Sequence, residues 1–409
     1  CPRNLTPMSG ADRAGQDYSV TRRSVLAAGA SAAASLTMGA LPAWARPTHR
    51  RPHRPRPGQL PRPDRPLGKP GIPPEIEHVV VLVMENHSAD NVLGMLGQFA
   101  APRRWYYDGL PVNRRGIPIA SNPDRQGRPV RSFVRPDLCP SSDGLTQNSN
   151  ASHHQYNNGR NNGFVTNANS TEPMGYLTPD QMPISYALAS HFPVSDRYFC
   201  SVLGQTLPNR RYLFSATSSG QVNDDNSSLL VPAANGTIFD RMDTGGVSWL
   251  VYYGNTPSPF YFPNFRDNPL QLARCVKNSQ FFSDAAAGQL PAVSVVEPNF
   301  SFQSEENPQD IAYGEAFLRS VLSACFASPQ WPKLALFYTY DEHGGYYDHV
   351  PPPQAVPPDD IPPDLTLSAK GTYPAKFDRY GFRVPFTVIS PWAQPVSYTH
   401  LTLPTILRV

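Results

Sequence analysis

The sequence predicts an α/β protein, a three-layer α/β/α sandwich built on one mostly parallel sheet, and three observations carry that prediction. Residues 76–84, Ile-Glu-His-Val-Val-Val-Leu-Val-Met, form a nearly unbroken apolar, β-branched run. A strand buried on both faces of a parallel sheet reads this way, because neither face meets water. Residues 292–296, 334–340 and 384–389 read alike. Between such runs lie helical patterns: in 311–326 the apolar Phe317, Leu318, Val321, Leu322, Cys325 and Phe326 recur at helical spacing. Strands alternating with helices imply helices on both sides of the sheet.

In chain order, residues 1–45 read as a twin-arginine signal peptide. Arg22 and Arg23 precede a weakly apolar Ala/Gly/Ser run to Leu41, and Ala43-Trp44-Ala45 presents the small residues a signal peptidase reads. Paired arginines there mark export in folded form, so the twin-arginine translocase is an expected partner and the periplasm, cell wall or exterior the destination. The run is short and poor in Leu, Ile and Phe, so no integral membrane segment is expected, and nothing later approaches a span. Residues 46–75 are a Pro/Arg-rich linker, 76–393 the folded domain, and 394–409 a tail whose 396–405 stretch reads as translated sequencing adapter.

The net charge is only +3, with much of the basic excess in the linker, so charge lends no support to a nucleic-acid partner. After the leader, Cys139, Cys200, Cys275 and Cys325 remain, an even count that permits two disulfides in an oxidising compartment. Polar stretches at 137–169 and 223–246 are too long for plain connections and read as active-site loops or small subdomains.

Ligands of such sheets bind beyond the carboxyl ends of the strands. Glu85-Asn86 follows the first strand run and Asp341-Glu342-His343-Gly344-Gly345 the run at 334–340. Four oxygen-bearing side chains suit a hard divalent cation: calcium, magnesium or manganese rather than zinc. The paired glycines let the backbone turn sharply and leave room for a ligand. Thr206 stands where a helix N-cap would, with Pro208 in the first turn. That placement suits a capping threonine, and equally a phosphate site with a nucleophile at a helix start.

These motifs resemble, in order, those of the bacterial phosphoesterase family that includes phospholipases C and acid phosphatases, within the alkaline-phosphatase-like superfamily. The resemblance runs from about Ile76 to Ala393. It rests on Glu85-Asn86-His-Ser88-Ala-Asp90, on Asp196-Arg-Tyr-Phe-Cys-Ser with Thr206-Leu-Pro-Asn209-Arg210, on Tyr340-Asp341-Glu342-His343-Gly-Gly-Tyr-Tyr-Asp348-His349, and on Arg383-Val-Pro with Ser390-Pro-Trp392. It implies Thr206 as the nucleophile that takes the phosphoryl group, and Glu85, Asn86, Asp341 and Glu342 as metal ligands. It implies that His153 binds a phosphoryl oxygen or protonates the leaving group. Asn209 and Arg210 would bind phosphate or support the site, and His343 and His349 would join it or brace the turn. Asn307 departs from a histidine of several members. Phospholipid head-group cleavage is the first substrate class implied, phosphomonoester hydrolysis the second. A secreted binding protein that kept the fold without turnover is the rival.

Overall fold

The computed structural model describes residues 75–99, 107–139, 145–225, 228–365, 376–393 and 397–398. The residues read as a leader, nearly all of those read as a linker and most of the tail lie outside them. Eight strands form the main sheet: β1 (His78–Met84), β2 (Val194–Ser195), β3 (Trp249–Tyr253), β4 (Cys275–Lys277), β5 (Val293–Glu297), β6 (Leu334–Tyr340), β7 (Phe386–Ile389) and β8 (Ser397–Tyr398). Their spatial order is β8-β2-β7-β6-β1-β5-β3-β4. The helices used below are α1 (Ala89–Leu93), α2 (Ser149–Tyr156), α3 (Pro183–His191), α4 (Thr206–Ser215), α5 (Ile238–Thr244), α6 (Asn278–Ala287) and α7 (Ile311–Ala327).

β1 lies between β6 and β5, parallel to both, and β3 and β4 continue the parallel half. β7 runs antiparallel to both β6 and β2, so the sheet is mostly rather than wholly parallel, as expected. A parallel neighbour needs a crossover back to the amino end of the sheet. The connection from β6 to β7 holds no helix among its described residues, so the chain re-enters in the opposite direction.

Side-chain alternation then assigns the two faces. Val80, Leu82 and Met84 of β1 join Leu336 and Tyr338 of β6 and Val296 of β5 in one core with α3, α6 and α7. The opposite parity, Val293, Val295, Trp249 and Val251, packs on Phe214 of α4 and Phe239 and Met242 of α5. Helices therefore cover both faces, and the three-layer expectation holds. No helix among the described residues is long and apolar enough to cross a membrane.

Two expectations are corrected. Cys200, Cys275 and Cys325 are free thiols, so the four cysteines do not form two bridges; Cys275 lies on β4 and Cys325 on α7, separate elements of the fold. Thr206 is not the N-cap of α4 but its first residue. Gln205 takes the extended cap conformation, and its carbonyl accepts the first bond, from the Asn209 amide at 3.3 Å.

Candidate active site

Parity and register bring the acids together. Met84 and Tyr340 are register partners, so the residues that follow, Glu85 and Asp341, leave the sheet side by side. Glu297 ends β5 on the other flank of β1. All three extend the parity that faces α4, and α4 answers with Arg210. Its Nε donates to Asp341 Oδ2 at 2.8 Å and its Nη1 to Glu297 Oε1 at 3.1 Å, while Nη2 lies 3.5 Å from Glu85 Oε1. The guanidinium is wholly buried and stacks over Phe300 at 4.8 Å. Arg210 thus supports the acids; its Nη1 also donates to Ser258 Oγ at 2.9 Å, while Nη2 is buried without a hydrogen-bond partner.

Asn209 supports the segment leading into Thr206. Its Oδ1 accepts from the Ser201 and Val202 amides at 2.9 and 3.0 Å, and its Nδ2 donates to the Gly204 and Gln205 carbonyls. Thr206 precedes Arg210 by one helical turn and so shares its face. Its hydroxyl makes no hydrogen bond to a described residue.

Glu342 accepts from the Gly344 amide at 2.7 Å and lies 3.2 Å from His343 Nδ1. Gln155 of α2 donates through Nε2 to the Thr146 carbonyl at 2.8 Å, so its Oε1 accepts from His343 Nε2 at 2.7 Å. Burial pushes His343 down to about 3; with its one proton on Nε2, the neutral ring presents Nδ1 to Glu342 as an acceptor rather than a donor. Gly344 and Gly345 both have positive φ, +63° and +82°. A Cβ on Gly344 would sit 1.9 Å from the Asn86 carbonyl oxygen, and one on Gly345 2.9 Å from that of Thr146. The room the glycines leave is filled by these backbones, which locks the turn against Asn86.

Sequence reasoning missed three acids here. Asp224 accepts from the Leu207 amide at 2.7 Å beside Thr206, and Glu306 and Glu297 complete the group. Asp224 is pushed up to about 7 by desolvation, against the Leu207 bond and with Asp341 and Glu306 adding to the rise. Desolvation followed by the charge of Asp341 raises Glu85 and Glu342 well above the usual carboxylate range. Asp224 lies in the polar stretch at 223–246 read as an active-site loop, which was the available signal.

His153 is brought to a different wall. Its Nδ1 donates to the Ser149 carbonyl at 2.7 Å, and burial lowers its pKa. It lines a cavity of about 460 Å³ together with Leu203, three residues before Thr206. His349 does not join the acids around Arg210 but braces a second cluster, with Nδ1 2.7 Å from Asp90 Oδ2 and Nε2 3.3 Å from Asp108 Oδ1. Asp90, Asp348 and His349 have ligand atoms within 4.8 Å of one another, close enough for a cation. Arg383 already fills that role, donating to Asp348 at 2.9 Å and to Asp90 at 3.0 Å.

The first cluster fits a hard cation better. Its donors are all oxygen, and Asn86 Oδ1 and Glu342 Oε1 are buried without a hydrogen-bond partner. Such atoms are costly unless a cation or donor meets them.

A model of the Phosphoesterase family matches residues 76–407, and the chain belongs to that family. Non-specific phospholipase C1 of Arabidopsis thaliana is 35% identical over 344 residues, 80% of this chain and 62% of that protein. Phospholipase C A of Mycobacterium tuberculosis is 30% identical over 370 residues, 80% of this chain and 70% of that one. Non-hemolytic phospholipase C of Burkholderia pseudomallei is 29% identical over 378 residues, 78% of this chain and 52% of that one. The chain therefore spans 62% of the length of the first two plant relatives it matches.

Proposed function

We propose that the chain is an exported, metal-dependent phosphoric-ester hydrolase of the phospholipase C type, with phosphomonoesters as the second substrate class. One observation supports this most: Thr206 opens a helix one turn from Arg210, beside buried carboxylates whose neighbours Asn86 Oδ1 and Glu342 Oε1 lack partners. Glu85, Asn86, Asp341 and Glu342 would hold the cation, which when bound lowers the pKa of the threonine hydroxyl and screens the phosphoryl oxygens.

Thr206 Oγ attacks phosphorus, the bond from phosphorus to the leaving alcohol oxygen breaks, and phosphothreonine forms. Water then attacks the same phosphorus, releases the phosphorylated head group and restores the hydroxyl. The amides at the start of α4 favour the negative charge of the phosphate. Both roles assigned to His153 need a proton on Nε2, because Nδ1–H is committed to Ser149. A phosphate anion beside the ring offsets burial and favours that proton.

The test is a panel of phosphatidylcholine, aryl phosphodiesters and aryl phosphomonoesters, with and without chelator. Diester turnover that chelator removes, and that calcium or manganese restores better than zinc, is the expected result. Chelator-resistant turnover, or two tightly held zinc ions per chain, contradicts the reading. Export rests on Arg22 and Arg23; replacing both by lysine is expected to leave precursor in the cytoplasm, read by fractionation and immunoblot.

A further inference from the structure

The cavity beside His153 has a charge pattern that the reaction does not use. Lys376, Asp378 and Arg379 line it together with Tyr156 and Leu203. Arg379 is held in place, its Nη1 donating to the Pro352 carbonyl at 2.8 Å and its guanidinium stacked 4.7 Å over Tyr156. Neither Lys376 nor Asp378 forms an ion pair with a described residue. The wall thus carries two cations against one carboxylate, while the acid group around Arg210 carries strong negative charge. We propose that this cavity is the head-group subsite, and that Lys376 makes it favour uncharged polyol head groups over quaternary amines. The proposal rests on the phosphodiesterase reading above, and His153 is the wall common to both.

Monomeric short-chain phosphatidylglycerol and phosphatidylcholine separate head-group charge from vesicle charge. Lys376→Gln is expected to lower the ratio of kcat/KM for the first over the second about tenfold, mainly through KM, the worth of one charge-assisted contact. An unchanged ratio overturns the subsite. If neither lipid is turned over, the phospholipase reading fails instead. The subsite is then judged by calorimetric titration of Thr206→Ala protein with glycerophosphoglycerol: a Kd weakened about tenfold by adding Lys376→Gln supports it, and an equal Kd overturns it.

A second inference stands on a separate observation behind the sheet. Glu305, Tyr340, Tyr338, Ser185 and Glu315 form a buried chain with successive contacts of 2.6, 2.9, 3.1 and 2.6 Å. Four hydrogen bonds need four protons, and the three hydroxyls supply three. We infer that one of the two carboxyls holds the fourth, shared along the chain, so the pair carries one negative charge rather than two. Gly314 admits the Glu305 end, since a Cβ there would lie 2.1 Å from Glu305 Cγ.

Infrared difference spectra of the full chain at neutral pH test this. Wild type minus Tyr338→Phe is expected to show a protonated-carboxyl carbonyl band, because without that hydroxyl two bonds remain and two hydroxyls suffice. Ser185→Ala should remove the same band, since two bonds and two hydroxyls again remain. Identical spectra for wild type and a folded variant of either kind overturn the inference.

Discussion

Two clusters of buried acids sit at the carboxyl edge of this sheet, each around one buried arginine, and their charge balance differs. Around Arg383, the acids Asp90, Asp348 and Asp108 meet Arg383, Arg197 and His349. Around Arg210, Glu85, Glu297 and Asp341 share a single guanidinium, and Glu342, Glu306 and Asp224 add further negative potential. The balanced cluster is a strut that ties α1 to the turn after β6. The unbalanced one is stable as anions only when further positive charge arrives. Spacing alone points to the strut for a cation, because three ligand atoms lie close together there. Counting the charges already present favours the cluster around Arg210 instead.

The largest expected effect lies beside the unbalanced cluster. Thr206→Ala should lower turnover by several orders of magnitude while fold and bound metal persist, as for other covalent nucleophiles. Single-turnover assays check this, and a variant retaining more than about a tenth of the wild-type rate would mean another group attacks phosphorus.

The clusters should then respond oppositely to neutralisation. Arg383→Met leaves Asp348 without its cation and Asp90 with His349 alone, and should cost about 3–5 kcal/mol in denaturant unfolding. Glu342→Gln removes a charge that desolvation and Asp341 both disfavour, so in chelator its stability should match or exceed wild type. Its activity and metal occupancy should fall, because a ligand charge is lost. Equal destabilisation by both substitutions would erase the distinction.

Much of this was legible in sequence where a strong local pattern ended in a charged residue. The runs at 76–84 and 334–340 became β1 and β6, and their register set Glu85 beside Asp341. Glu297, Glu306 and Asp224 were not legible as site residues, since each is a single acid in an unrelated segment until the topology gathers them. Trp249–Tyr253 was likewise missed as a strand. Arg383 appeared only within Arg-Val-Pro, where nothing local announces that its side chain will balance Asp90 and Asp348. Thr206 was misplaced by one position because a threonine before a proline-bearing turn looks like a cap, yet Gln205 holds the extended backbone.

The smallest predicted effect probes the strut through His349. Burial alone would lower its pKa, but Asp90 and Asp108 outweigh burial and push it up from the ordinary 6.5 to about 10. A raised folded pKa means the folded state holds the proton more tightly than the unfolded chain does. The resulting stability is fully present below about pH 6.5 and is lost as pH rises through about 10. The ring is one-fifth exposed, so solvent screening trims the size of the effect but leaves its sign. Melting curves from pH 6 to pH 10 should show wild type losing stability relative to His349→Gln, which has no proton to release in that window. Parallel curves would mean that His349 is not held as imidazolium, leaving Arg383 and Arg197 to balance the acids of the strut without it.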